Sequence, residues 1–241
     1  MTALPDLASY EGVLFDLDGV LTPTAEVHMR AWRSMFEQLF SDWHITPPYT
    51  DHDYFEYLDG KKRYDGVAGL LRSRDVEVPW GEPTDAPTAD TISGIGNRKN
   101  EFFTKALETD GIQAYPGSLA LVEQLQAAGI PIAVVSSSKN AEDVLQAAGI
   151  RDRFPVVMDG VVAERDHLAS KPAPDVFLEA ARMLGVEPAR SVAVEDAISG
   201  VQSAAAGGFA VVVGVDRGAG ADKLREAGAT VVVDDLSAFV N

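Results

Sequence analysis

Asp16 and Asp18, in "VLFDLDGV", stand one residue apart at the end of an apolar run, and Gly19 follows directly. Two carboxylates so close resist joint ionisation unless a cation lies between them. A hard divalent cation with oxygen ligands meets that need, Mg²⁺ above all, and it keeps waters that a phosphate group can replace. The plainer alternatives are a solvated turn or a calcium loop. An EF-hand loop, however, places its glycine five residues after the first Asp, and here the interval is three.

Three later stretches carry chemistry of the same kind. Ser136 closes "PIAVVS" and opens "SSSKN", where a hydroxyl and main-chain N–H groups suit a phosphate oxygen. Ser138 or Asn140 there would serve equally as a helix cap. Lys171, in "ASKPAPD", precedes two prolines that hold the loop out of helix. Such a lysine neutralises a phosphoryl group or a nearby carboxylate, unless it is an ordinary surface lysine. Glu195 and Asp196 end "SVAVED", either as ligands or as acids at a helix N-terminus. Taken singly, each has a bland reading. Together, each falls at the carboxyl end of an expected strand or in the loop beside it.

Those strands are the runs Val13–Leu17, Ile130–Ser136, Ser191–Val194, Phe209–Val215 and Thr230–Val233. Between them "SLALVEQLQAAG", "AEDVLQAAG", "PDVFLEAARMLG" and "SGVQSAAAGG" have helical spacing and close on glycine. The alternation predicts an α/β fold, a doubly wound and mostly parallel sheet covered on both faces. Residues 24–107 break the rhythm with aromatic-rich helical stretches and no convincing parallel strand. They read as a helical insert, with "VEVPWGEPTDAPTAD" as a loop within it. The expected division is a discontinuous core, 1–23 with 108–241, and a cap at 24–107. The insert then lies at the carboxyl ends of the strands, where α/β folds bind ligands.

Composition narrows the partners. The 241 residues carry 20 Lys and Arg against 37 Asp and Glu, a formal charge of −17. Such a surface repels nucleic acid and anionic membrane, and a phosphorylated substrate needs local positive charge or a metal. There is no cysteine, which excludes disulfides and thiolate chemistry. The N-terminus lacks a basic region followed by an apolar stretch, and no run approaches the ~20 apolar residues of a membrane span. The expectation is a cytoplasmic protein with no membrane or nucleic-acid partner. Oligomeric state is not readable, and a monomer is compatible with this composition.

With these residues in place, the chain resembles the haloacid dehalogenase superfamily of phosphotransferases. The resemblance rests on "DLDG", the serine of "VVSSS", the lysine of "SKPAPD" and the acids of "VEDAISG". It implies a Rossmann-like core in which Asp16 is the nucleophile and becomes an aspartyl phosphate. Asp18 would be the general acid/base. Ser136 and Lys171 would hold the transferring phosphoryl group. Mg²⁺ would bind the Asp16 carboxylate, the Asp18 main-chain carbonyl, Glu195 and Asp196.

The insert resembles the β-phosphoglucomutase-like subfamily, through "TPTAEVHMRAW", "YLDGKKRYDG", "GNRKNEFF" and "SSSKN". By that likeness Thr24 lies at the hinge of a cap that closes over the substrate, and His28 supports the acid/base Asp. Arg63, Lys99, Asn100, Ser138, Lys139 and Asn140 bind the second phosphate or the sugar. Trp32 is either substrate-binding or core, being four residues from His28 on one helix face. Arg63 competes with Lys61 and Lys62, since a basic run is usually a solvated face. Pro23 departs from the Asp of many relatives, which stiffens the expected hinge.

The implied activity is conversion of β-D-glucose 1-phosphate to glucose 6-phosphate through the 1,6-bisphosphate. The main alternative is a sugar-phosphate phosphatase, which keeps every core residue and admits water. A phosphonatase needs an early cap lysine, and none occurs between Thr24 and Lys61. A non-catalytic phospho-ligand module is the remote alternative.

Overall fold

The computed structural model describes residues 4–240, with every side chain among them but those of 106 and 108–110. Residues 1–3, at the start of the N-terminal stretch, and 241 lie outside the described residues. The chain divides into two compact units, Met1–Thr24 with Ile112–Asn241, and Ala25–Gly111.

The larger unit is built on β1 (Val13–Phe15), which the chain leaves for α1 (Thr24–Asp42), α2 (Asp51–Asp53), α3 (Arg63–Arg72) and α4 (Ile92–Asp110) before returning. Next come α5 (Pro116–Ala127), β2 (Ile132–Val135), α6 (Ala141–Ala147), β3 (Val156–Met158), α7 (Gly160–Arg165) and α8 (Asp175–Leu184). The chain closes with β4 (Val192–Glu195), α9 (Ile198–Ala206), β5 (Val211–Val215), α10 (Ala221–Ala227) and β6 (Val231–Val233). All neighbouring strands are parallel, in the order β3-β2-β1-β4-β5-β6.

Helices cover both faces of such a sheet, so its strands are apolar at every position. Every residue of β1 to β5 is buried, and only β6, at an edge, is half-exposed. Phe177 of α8 is fully buried against a cluster that includes Leu14, Ala133, Val135 and Ala193. Its burial contributes about 2–3 kcal/mol. The sheet is thus the α/β layer expected, with one addition. β3 has only three residues, and Pro155 and Asp159 end its apolar run there, whereas the runs read for β1 and β6 extend past their strands. Strand register aligns the polar strand ends. Phe15 of β1 pairs with Val134 of β2 and Val194 of β4, so Asp16 emerges level with Glu195 and Ser136 one residue beyond, at the same end of the sheet.

The smaller unit is helical, with no strand among its described residues. Its core gathers Trp32, Phe36 and Leu39 of α1, Val67 and Leu70 of α3, and Ile95 of α4. The proline-rich segment ahead of α4 has neither helix nor strand, yet it is tied down. Asn97 Nδ2 donates to the carbonyls of Pro83 and Asp85, and Arg98 Nε donates to that of Pro87. Among the described residues, no helix is long and apolar enough to cross a membrane.

Candidate active site

Asp16 takes its place from the last rung of the central ladder, its N–H donating to the Val194 carbonyl at 2.8 Å. Its carboxylate accepts from Lys171 Nζ at 2.8 Å, and the same ammonium reaches Glu195 Oε1 at 2.5 Å and the Val135 carbonyl at 3.1 Å. Phe177 lies under this ammonium, its ring centroid 5.0 Å away. The lysine and Glu195 side chains are wholly excluded from solvent. Burial and the Glu195 charge raise the Asp16 pKa well above the carboxylate range, against the pull of Lys171. Burial alone would push the Lys171 ammonium down, but Asp16 and Glu195 outweigh it and hold it above the ordinary lysine range.

Glu195 is turned back on its own helix start. Its Oε2 accepts from the N–H groups of Asp196 and Ala197, at 3.1 and 3.0 Å. Gly200 makes room for it, since a Cβ there would overlap the carboxylate. Asp16, Glu195 and Asp196 offer carboxylate oxygens that all lie within 4.8 Å of one another, and all three residues are buried. Three carboxylates against one ammonium leave two negative charges in a pocket that strongly penalises them. An all-oxygen donor set with that surplus fits a hard divalent cation.

Asp18 sits two residues beyond the ladder, half-buried in a turn. Thr24 Oγ1 donates to its Oδ1, and Thr22 Oγ1 lies 2.8 Å from Thr24 Oγ1. Both threonines are fully buried. The turn closes through Gly19 N–H to the Thr22 carbonyl, 2.8 Å, with Gly19 at φ +83°. Only glycine fits here, because a Cβ would strike the Asp196 carboxylate. The sequence pointed to Thr24. Thr22 was missed, and the paired threonines of "LTPT" were its signal.

Ser136 is fixed by its N–H to the Met158 carbonyl, 2.8 Å, and its Oγ accepts from Ser138 N at 3.0 Å. Ser138 Oγ in turn accepts from Asn140 N at 3.1 Å, at the start of α6. Asn140 occupies the N-cap of α6 without a side-chain cap bond. Lys139 pairs with Glu164, 2.7 Å, across to α7. The loop rests on Gly160, whose N–H donates to the Ser138 carbonyl and where a Cβ would lie 2.7 Å from the Ser137 carbonyl oxygen. Neither Gly160 nor its N-cap Asp159 stood out in the sequence; "MDG" reads as an ordinary turn.

In the smaller unit, Lys99 is buried and its Nζ lies 2.5 Å from His28 Nδ1. Beside Lys99 as an ammonium, which only donates, His28 Nδ1 is the accepting atom. Lys99 also lies over the rings of Trp32 and Phe103, and His28 stacks on Phe103 with centroids 4.1 Å apart. Trp32 is 5% exposed and stacks on Phe36, which makes it a core residue of this unit. Arg63 Nη2 donates to Asn100 Oδ1 at 2.8 Å, so two expected binding residues meet across α3 and α4.

The family model described as haloacid dehalogenase-like hydrolase matches residues 10–208. The β-phosphoglucomutase of Mycobacterium bovis is 48% identical over 234 residues, 93% of this chain and 89% of that protein. The crystal structure of β-phosphoglucomutase from Clostridium difficile is similar with a TM-score of 0.77 and 26% identity, covering 95% of this chain and 92% of that one. A mutant of CbbY from Rhodobacter sphaeroides, in complex with xylulose-(1,5)bisphosphate, has a TM-score of 0.72 and 29% identity, covering 95% of each chain.

Proposed function

The chain belongs to the haloacid dehalogenase-like hydrolase family, and from that premise we propose that it isomerises β-D-glucose 1-phosphate to glucose 6-phosphate, carrying the phosphoryl group on Asp16. The observation that supports this most is the buried set of Asp16, Lys171, Glu195 and Asp196, with Asp18 held beside it in the following turn. The 48% identity to a β-phosphoglucomutase favours the mutase over other activities of the family.

In this reading an Asp16 oxygen attacks phosphorus of the 1,6-bisphosphate and the ester P–O bond breaks. Asp18 gives its proton to the departing sugar oxygen. The Ser136 hydroxyl and the Lys171 ammonium bind the phosphoryl oxygens as charge moves across them. In the return step Asp18 takes the proton of the incoming hydroxyl and Asp16 releases the phosphoryl group. The bisphosphate primes the enzyme and is regenerated. Asp16, the Asp18 carbonyl, Glu195 and Asp196 would hold Mg²⁺, which would supply further neutralisation of phosphate charge. By resemblance, Arg63, Lys99, Asn100, Ser138, Lys139 and Asn140 serve the second phosphate and the sugar, and His28 serves the acid/base step. A cytoplasmic enzyme acting on a small sugar phosphate is the corresponding setting.

A phosphatase acting on a similar sugar phosphate is the second reading. It is favoured by the hydrolase description of the family. A phosphorus NMR time course with β-glucose 1-phosphate, Mg²⁺ and a trace of glucose 1,6-bisphosphate separates the two. Glucose 6-phosphate formed without inorganic phosphate selects the mutase, and inorganic phosphate alone selects the phosphatase. Asp16→Asn is expected to lower either turnover by about 10⁴-fold or more. Activity close to wild type in that variant would refute a phosphoryl group carried on Asp16.

A further inference from the structure

The turn that carries Asp18 is tied from outside at three consecutive carbonyls. Tyr115 N–H donates to the Leu21 carbonyl at 2.9 Å, and Ser118 Oγ donates to that of Val20 at 2.6 Å. The third tie comes from Arg217, in the loop after β5, whose Nε donates to the Gly19 carbonyl at 2.9 Å. The first two come from the start of α5. Arg217 is the longest reach, 198 residues along the chain.

This arginine is itself held from several sides. Its Nη1 donates to the Asp234 carbonyl at 3.0 Å, its Nη2 lies 3.7 Å from Asp235 Oδ2, and its guanidinium carbon is 4.0 Å from the centroid of the Tyr115 ring. The loop that presents it is shaped by Asp216, whose Oδ1 accepts from the N–H groups of Gly218 and Gly220. A planar guanidinium serves two carbonyls and a ring face in one fixed geometry.

Resting on the reading of Asp18 as acid and base, we propose that Arg217 is a positioning residue for it. Asp16 is secured by the ladder, through its N–H to Val194. Asp18 lies beyond the sheet, its main chain bridged to Thr22 within the turn, and the Gly19 carbonyl that follows it takes the Arg217 tie. Loss of the Arg217 tie therefore displaces the proton donor more than the nucleophile. A shift of about 1 Å in a catalytic group costs on the order of 100-fold in rate.

The test separates the two aspartates by leaving group. Wild type, Arg217→Ala, Arg217→Lys and Asp18→Ala, each as the full chain with Mg²⁺, are phosphorylated in a single turnover. The donors are glucose 1,6-bisphosphate and acetyl phosphate. Phosphoenzyme is measured by intact mass after rapid quench. A sugar oxygen needs a proton to leave, whereas acetate departs as a stable carboxylate without one. Arg217→Ala is expected to slow transfer from the bisphosphate by about 10–100-fold and from acetyl phosphate by less than about threefold. Arg217→Lys is expected to recover most of that loss, since one ammonium can still reach Gly19.

Equal slowing with both donors, or none with either, overturns the assignment, because general damage to the site does not discriminate between them. If Arg217→Ala fails to fold, Arg217→Gln carries the same comparison, with Arg217→Lys as its rescue. Asp18→Ala is the control. If it also fails to discriminate, the acid/base reading falls and the role of Arg217 falls with it. If it discriminates while the Arg217 variants do not, only the role of Arg217 is lost.

Discussion

Two lysines are almost wholly buried, one in each unit, and their surroundings differ in kind. Lys171, 1% exposed, lies between the carboxylates of Asp16 and Glu195. Lys99, 2% exposed, lies against the His28 imidazole and over the faces of Trp32 and Phe103. Full negative charges hold the first. Ring quadrupoles and a neutral nitrogen acceptor contribute to holding the second, and each ring face contributes about 0.5–2 kcal/mol. Burial of a lysine therefore does not by itself mark one role. At Lys171 it concentrates positive charge where anions meet. At Lys99 it fixes the orientation of a histidine.

The contrast is most exposed to failure at Lys171. Lys171→Met leaves two carboxylates buried without their partner and is expected to cost about 3–5 kcal/mol of stability. Turnover is expected to fall by about 10³-fold or more. Urea denaturation and steady-state rates measure these, and an unchanged urea midpoint would dissolve the distinction. Adding Glu195→Gln removes one stranded charge, so the double variant is expected to regain part of the stability and none of the activity.

Next in size is the response to metal. Mg²⁺ that binds only the folded state stabilises it by mass action, about 2.7 kcal/mol at 100 times its dissociation constant. The thermal midpoint of the wild type is expected to rise with added Mg²⁺. Asp196→Asn is expected to weaken that rise sharply, and Lys99→Met to leave it intact. A rise abolished equally by both substitutions would mean that the two lysine environments are not independent.

Lys99→Met itself is expected to cost about 1–2 kcal/mol, since a methionine keeps the volume and loses the cation–ring attraction. A loss as large as that of Lys171→Met would show that more than the rings and the imidazole depends on it.

The smallest effect sets the scale for charge near the surface. Asp235 has its pKa lowered by hydrogen bonding to Ser237, whose N–H its Oδ1 accepts at 2.8 Å, and by Arg217. A depressed folded-state pKa stabilises above the unfolded value and is lost as pH falls through the folded one. Asp235→Asn is therefore expected to cost under about 1 kcal/mol at neutral pH, less in high salt. The difference from wild type should shrink as pH falls below the ordinary Asp value of about 3.9 and vanish only below the lowered folded-state value. A gap that widened on acidification would reverse the sign of this contribution.

Much of the larger unit was legible in the sequence. Runs such as "IAVV" and "VVVGV" are apolar at every position, as strands covered on both faces must be, and their polar ends were plain. β3 was not, because Pro155 and Asp159 cut its apolar run to three residues, shorter than the runs around β1 and β6. In the site, Asp16, Ser136, Glu195 and Asp196 announced themselves as polar residues at the ends of apolar runs. Thr22, Gly160 and Gly200 did not, since a threonine or a glycine in a turn has many ordinary uses. Their meaning lies in the atom they approach.

The chain alone thus determined the layering, the strand ends and the acids placed on them, because each depends on neighbours within a few residues. Only the tertiary structure decided which groups meet. Lys171 finds Asp16 from 155 positions away and Glu195 from 24, and Arg217 finds Gly19 from 198. Strand order and register bring such pairs together, and those are set by the packing of the whole sheet rather than by local spacing.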